Sequence, residues 1–216
     1  MTQTEFSDVS TRQRLIEAAH VCVGRFGITK TTIEDVAREA KLSRATIYRY
    51  FPGGKDELAR EVVAWEMGRF YRNLAEAIDS AADFPSMIAE ALIFANRAAG
   101  EHELLQKLIV IEPERILPLL TYQSAYVLQL SRRLIDGPLE REHHAGRVRP
   151  GVDLDQAGDY IARMVLSFVT ARGNSDLDDP ALVSNIVRYQ ILGGVLTDEA
   201  LGRQGAVNAS SLTLGA

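Results

Sequence analysis

The chain has 216 residues, of which 46% are hydrophobic and 25% charged, with a formal net charge of −5. That balance excludes disordered and fibrous classes and leaves ample length for a buried core. The single cysteine, Cys22, excludes a disulfide framework and a cysteine-based zinc site. Taken as a mean, the acidity also argues against a nucleic-acid partner, because phosphate binding needs positive charge.

Leu15, Ala18, Ala19, Cys22, Val23 and Phe26 recur at helical spacing and predict a first helix, which Gly27 stops. Thr31 or Thr32 can cap a short second helix over Ile33 to Ala40, with Glu34 or Asp35 completing a capping box. Its buried side is Ile33, Val36, Ala37 and Ala40. Ser43 caps a third helix, and Pro52-Gly53-Gly54 ends it. A long helix then runs from about Lys55 towards Ser80.

Further helices follow on Phe84 to Ala98, on Leu104 to Leu108 and on Leu120 to Leu134. Gly137-Pro138 and Gly146 to Gly151 read as kinks or loops. Two last helices carry Ala157, Tyr160, Ile161, Met164, Val165, Phe168 and Val169, then Val183, Ile186, Val187, Ile191 and Val195. Both also have apolar residues off the main stripe, such as Ala162, Leu166, Leu182, Leu192 and Leu196. A helix apolar on two sides needs a second partner, which predicts a dimer built by a four-helix bundle. The residues expected at that interface are Val165, Val169, Val183, Val187, Ile191, Leu192 and Val195; a fully buried hairpin in a monomer is the other reading.

The fold class predicted is all-α. Residues 1–10 are expected to be a flexible N-terminus, 11–54 a helix-turn-helix domain, 55–202 a helical ligand-binding and dimerisation domain, and 203–216 a flexible tail. No apolar run approaches the ~18 residues of a membrane span. Met1 to Asp8 lacks the pattern of a signal peptide. The expectation is a soluble cytoplasmic protein with no membrane partner.

Charge is unevenly placed. Between Cys22 and Lys55 seven basic residues face three acidic ones, a local excess of +4. Lys41-Leu42-Ser43 separates two short helices, which is the outline of a helix-turn-helix. Val36, Ala37, Leu42 and Ile47 stand where two helices must cross closely. The outward side of the second helix then shows Arg44, Thr46, Tyr48 and Arg49. Arg forks onto guanine edges, Thr meets a thymine methyl or a phosphate, and Tyr reaches phosphate oxygens.

Residues 12–62 resemble the TetR family of bacterial transcriptional regulators. The likeness runs from Ile33-Glu34-Asp35-Val36-Ala37 through Leu42-Ser43-Arg44-Ala45-Thr46-Ile47-Tyr48-Arg49-Tyr50-Phe51 to Lys55-Asp56-Glu57-Leu58. It implies that Ser43, Arg44, Thr46, Tyr48 and Arg49 occupy recognition-helix positions, and that Thr32, Tyr50 and Lys55 anchor the backbone. Arg44 and Arg49 are expected to read bases; Thr32, Tyr48, Tyr50 and Lys55 are expected to meet phosphates. Lys41 departs from the glycine common at that turn, where a left-handed backbone would cost about 1 kcal/mol.

The resemblance further implies a homodimer on a near-palindromic double-stranded operator, acting as a repressor released by a small apolar or amphipathic effector. An activator, or a DNA-organising protein without induction, has the same sequence signature. Candidate pocket residues are Trp65, Phe70, Phe94, Leu108, Tyr122, Tyr126, Met164, Ser167 and Phe168, with Arg97, His102 and Arg115 available to an anionic end. A helical enzyme is the rival class, since Glu17/His20 and Glu140/His143 have di-iron spacing. At roughly 100° per residue, Glu17 and His20 turn away from the apolar stripe towards water, and adjacent His143 and His144 diverge. No catalytic residue, metal or cofactor is expected.

Overall fold

The computed structural model describes the backbone of residues 3–115, 124–171 and 175–202, and the side chains of these except 3–9 and 124. The helices are α1 (Gln3–Lys30), α2 (Ile33–Ala40), α3 (Arg44–Tyr50), α4 (Gly54–Ile78), α5 (Phe84–Glu101), α6 (Glu103–Ile111), α7 (Ser124–His144), α8 (Leu154–Thr170) and α9 (Pro180–Asn185), the last continued by a π-helical turn, Ile186–Ile191. Among the described residues the one extended pairing is an isolated bridge between Val148 and Leu196. The fold is all-α. No described helix is long and apolar enough to cross a membrane.

Two compact units divide the chain: 1–73 with 98–127, and 74–97 with 128–216. The first unit runs past residue 54, the end expected for the helix-turn-helix domain. The reason lies in two apolar clusters of the first unit. Leu58 and Val62 of α4 complete the core made by Leu15, Ala19, Val36, Ile47 and Phe51. Leu108 of α6 packs with Val23 and Ile28 of α1.

Helix α1 starts at Gln3, inside the stretch expected to be flexible. No glycine or proline occurs before Gly24, so nothing stops the helix growing backwards from its buried stripe. At Gly27 the backbone leaves helical geometry, at φ 84° and ψ 170°. The stop expected there is a break within the helix, after which the chain turns once more before Thr32.

In the second unit, Ile88, Leu92, Leu139, Ile161, Ala162, Val187, Leu192 and Leu196 form a continuous core. Gly137-Pro138, expected as a kink or loop, does not end the helix: α7 continues through Pro138, with Ile135 and Leu139 buried on either side. That burial offsets the lost backbone bond. The last helix is also shorter than predicted. It ends at Ile191, and Val195 lies in the following turn, because Gly193-Gly194 breaks the periodicity. Residues 203–216 and Tyr122 fall outside the described residues.

Candidate nucleic-acid interface

The head is built by local chemistry. Thr32 Oγ1 accepts from the Asp35 N–H at 3.1 Å, and Asp35 Oδ2 accepts from the Thr32 N–H at 3.1 Å and from its hydroxyl at 2.6 Å. This capping box holds the entry to α2 and draws the Asp35 carboxyl below its ordinary range, first through the Thr32 hydroxyl. At the other end Lys41 is left-handed, at φ 54° and ψ 45°, and the Leu42 N–H donates to Ala37 O at 2.9 Å. Arg14 closes the same end by donating to Ala40 O at 2.9 Å.

Ser43 starts α3: its Oγ accepts from the Thr46 N–H at 3.1 Å and lies 2.9 Å from Thr46 Oγ1. Ile47 and Phe51 are fully buried, which fixes the opposite side of α3 outwards. That outward side carries Ser43, Arg44, Tyr48 and Arg49, all exposed, with Thr46 half-buried, while Tyr50, also half-buried, packs against the head's core. Arg44 pairs with Glu34 at 2.5 Å on the surface, and this bond pushes its pKa up, so the side chain stays cationic. A pair this exposed opens at little cost. The Arg49 guanidinium sits 5.0 Å above the Tyr50 ring. Lys55, half-buried, donates to Thr29 O at 2.6 Å.

The eight residues expected to touch DNA thus gather on one end of the first unit, on α3 and the two helix starts beside it. Thr32 and Lys55 already hold intramolecular bonds there. Both bonds involve the backbone or cap that shapes the α1–α2 turn.

The candidate pocket residues do not gather. Trp65 packs on the head's core and edge-on to His20. Phe70 stacks edge-to-face on Tyr71, while Tyr126 and Ser167 are exposed. Phe94, Met164 and Phe168 are half-buried in the second unit. Leu108 alone of these lines a cavity of about 70 Å³ in the first unit, walled by α1, α4 and α6.

Glu66 is among the residues lining that cavity, and it was not among the residues singled out from the sequence. The signal was present: Leu58, Val62 and Glu66 are successive four-residue steps on the buried side of α4. His20 Nε2 stands 2.6 Å from Glu66 Oε1, Arg69 Nη2 3.2 Å from Oε2, and His102 Nε2 3.5 Å from Oε2. Burial alone would raise the Glu66 carboxyl, but the His102 bond and the charges of Arg69 and His20 outweigh it and hold the group below its ordinary range. The same bond raises His102, whose Nδ1 also caps α6 by accepting from the Leu105 N–H at 3.2 Å. Two expectations are corrected here. His20 faces a carboxylate supplied by α4 and not water, which a wheel drawn on α1 alone cannot show. His102 likewise faces the Glu66 carboxylate, whose negative charge opposes an anionic ligand at that imidazole. Arg97 pairs with Asp178 at 3.1 Å. No described group of three His, Cys, Asp or Glu is arranged to hold a metal.

The interface residues need a larger correction. Val183, Val187, Ile191 and Leu192 are at most 1% exposed, and Val195 is buried too. They fill the protomer's own core, so they present no face to a partner. Val165 and Val169 are half-buried on α8, and Tyr160, expected inside, is 42% exposed.

A short helix crossing a second through a left-handed turn, with an exposed basic face on the second, defines a helix-turn-helix DNA-binding protein. The family model for bacterial regulatory proteins of the tetR family matches residues 15–62. The HTH-type transcriptional repressor KstR2 of Mycobacterium tuberculosis is 28% identical over 201 residues, spanning 90% of this chain and 88% of that protein. Two solved structures share the fold. RolR in complex with resorcinol has a TM-score of 0.59 at 18% identity, over 93% of this chain and 97% of that one. The TetR family repressor AlkX from Dietzia sp. has a TM-score of 0.58 at 22% identity, over 86% and 97%. Residues 15–62 thus match the TetR-family model, and the chain as a whole is similar in fold to TetR-family regulators.

Proposed function

We propose that this chain is a homodimeric repressor that lays one α3 per subunit into successive major grooves and leaves its operator when a small apolar or amphipathic molecule binds. The observation that carries the reading is the outward face of α3, with Arg44, Tyr48 and Arg49 exposed around a fully buried Ile47. Arg44 and Arg49 read base edges; Ser43, Thr46, Tyr48 and Tyr50 hold phosphate and groove wall. Lys55, on α4, and the capped start of α2 at Thr32 hold the flanking backbone. Two-fold symmetry then requires half-sites about 10 bp, or a multiple, apart.

Release by a ligand is supported by kinship with a named repressor and by the fold shared with RolR, which was solved with resorcinol. The shift is bounded by the ligand's differential affinity for the DNA-competent and DNA-incompetent states. Genomic footprinting of the bound protein tests the whole reading. Discrete, near-palindromic sites upstream of genes are expected; uniform low-affinity coverage would favour a DNA-organising role. Arg44→Ala with Arg49→Ala should abolish those sites while leaving the oligomeric state unchanged, with each lost base contact costing about 1–3 kcal/mol.

A further inference from the structure

We infer that the cavity between α1, α4 and α6 is an effector site for a small, neutral, mainly apolar molecule bearing one hydroxyl, which Glu66 and His102 hold at the cavity's polar end. This deepens the ligand-released reading and rests on it. The walls are apolar: Val23 and Ile28 from α1, Val63 and Met67 from α4, Leu105 and Leu108 from α6. The polar exception is Glu66, 9% exposed, with His102 beside it. Among the described residues no donor completes a hydrogen bond to Glu66 Oε1; His20 Nε2 lies 2.6 Å from it without hydrogen-bond alignment. A buried carboxylate oxygen left in that state gains from any hydroxyl that can donate to it.

Charge selects between head groups. Arg69 already balances Glu66, and the bond from His102 to Glu66 favours the protonated form of that imidazole. A cationic amine would meet that surplus, and an anion would meet the carboxylate. A hydroxyl donates to Glu66 and accepts from His102, whose present contact with Glu66 is long at 3.5 Å. The cavity is smaller than one that takes up a benzene ring, about 150 Å³. Met67, unbranched and easily repacked, is the wall that gives way.

Position makes the site a regulator of the head. Ile28, a wall residue, precedes Thr29, whose carbonyl holds Lys55 and whose N–H is held by Glu112 of the α6 end at 3.0 Å. Lys107 of α6 ties to Gly24 O at 2.7 Å. Filling the cavity separates α6 from α1 and strains both ties, which loosens the turn that positions Lys55.

The probes are p-cresol, toluene and benzylamine, titrated calorimetrically into the full chain without DNA. We expect p-cresol to bind about ten-fold tighter than toluene, the worth of one hydrogen bond to a charged group, and benzylamine to bind no better than toluene. Ala59→Leu and Leu105→Phe, each checked for a cooperative melt, should each weaken p-cresol about ten-fold. Methionine-methyl NMR of the unsubstituted chain should show p-cresol moving Met67 and leaving Met164 in place, which reads the site even where a variant fails to fold. Equal affinity for toluene, preference for benzylamine, no binding, or movement of Met164 alone would each overturn the proposal. Because these readouts need no operator, their failure is separate from a failure of footprinting, which would strike the repressor reading itself.

Discussion

At the scale of the residue, Lys41 shows how a reading head can carry strain. A left-handed backbone costs a side chain-bearing residue roughly 1–2 kcal/mol, and Lys41 sits there at φ 54° because the Schellman-type turn between α2 and α3 requires it. Lys41→Gly should therefore stabilise the chain by about 1 kcal/mol, raising the melting midpoint by about 2–4 °C for a protein this size. Differential scanning calorimetry checks it, and an unchanged midpoint would mean that the lysine's gain in the unfolded state cancels the relief. Glu66 offers a test with a sign in pH. Its folded pKa lies below the ordinary value of 4.5, so its ion pairs stabilise the fold above that value and are lost as pH falls through the folded pKa. The melting midpoint of the unsubstituted chain should exceed that of Glu66→Gln near pH 6, and the gap should close as the pH is lowered towards 3. A gap that widened in acid would show that His20, Arg69 and His102 do not pair with an ionised Glu66.

At the scale of the element, what could be read from the sequence divides by the range of the forces involved. The α2–turn–α3 segment was legible almost residue for residue: the Thr32 cap, the Ile33 to Ala40 helix, the Ser43 cap and the left-handed turn are all set within four or five residues of themselves. Helix α6 was legible as a helix but not as part of the head. Its attachment depends on Leu108 meeting Val23 and Ile28, and on Glu112 and Lys107 reaching Thr29 and Gly24, residues 83 positions away. No periodicity encodes a contact of that separation. Gly27 is held at a φ of 84°, which strains any side chain, and a Cβ there would also lie 2.5 Å from Glu112 Oε1, so that carboxylate would have to shift. Glu112→Ala removes the acceptor from the Thr29 N–H and leaves that donor to find water. A loss of about 1–3 kcal/mol in stability is expected. If the tie also holds Lys55 in place, operator affinity should fall in gel-shift titrations by more than the folded fraction explains. An effect on stability alone would confine Glu112 to the core.

At the scale of the whole molecule, the second unit's burial pattern decides how two copies can meet. Two helices apolar on both sides suggested an interface, and the inference went astray because it treated them as a pair exposed on one flank. Helix α5, α7 and the turn around the Val148–Leu196 bridge cover Val183, Val187, Ile191 and Leu192 from within the same protomer. A sequence shows that a helix is apolar on two sides but not which neighbours take them. What α8 leaves uncovered is the strip of Val165 and Val169, four residues apart and half-buried, with Tyr160 exposed on the same helix. The two sets of residues predict opposite outcomes. Val165→Glu with Val169→Glu should give a folded monomer by sedimentation, because the charges reach water once the partner leaves. Operator affinity should then fall about a hundred-fold, the avidity contributed by a second linked reading head. Val187→Glu should instead fail to give a cooperative melt, since an unpaired carboxylate in a fully buried position costs a large share of the 5–15 kcal/mol that holds a domain folded. A folded monomer from Val187→Glu would return that residue to the interface. A dimer that tolerates both charges on α8 would move the interface off this helix altogether and leave the spacing of the two recognition helices to be set by another face of the second unit.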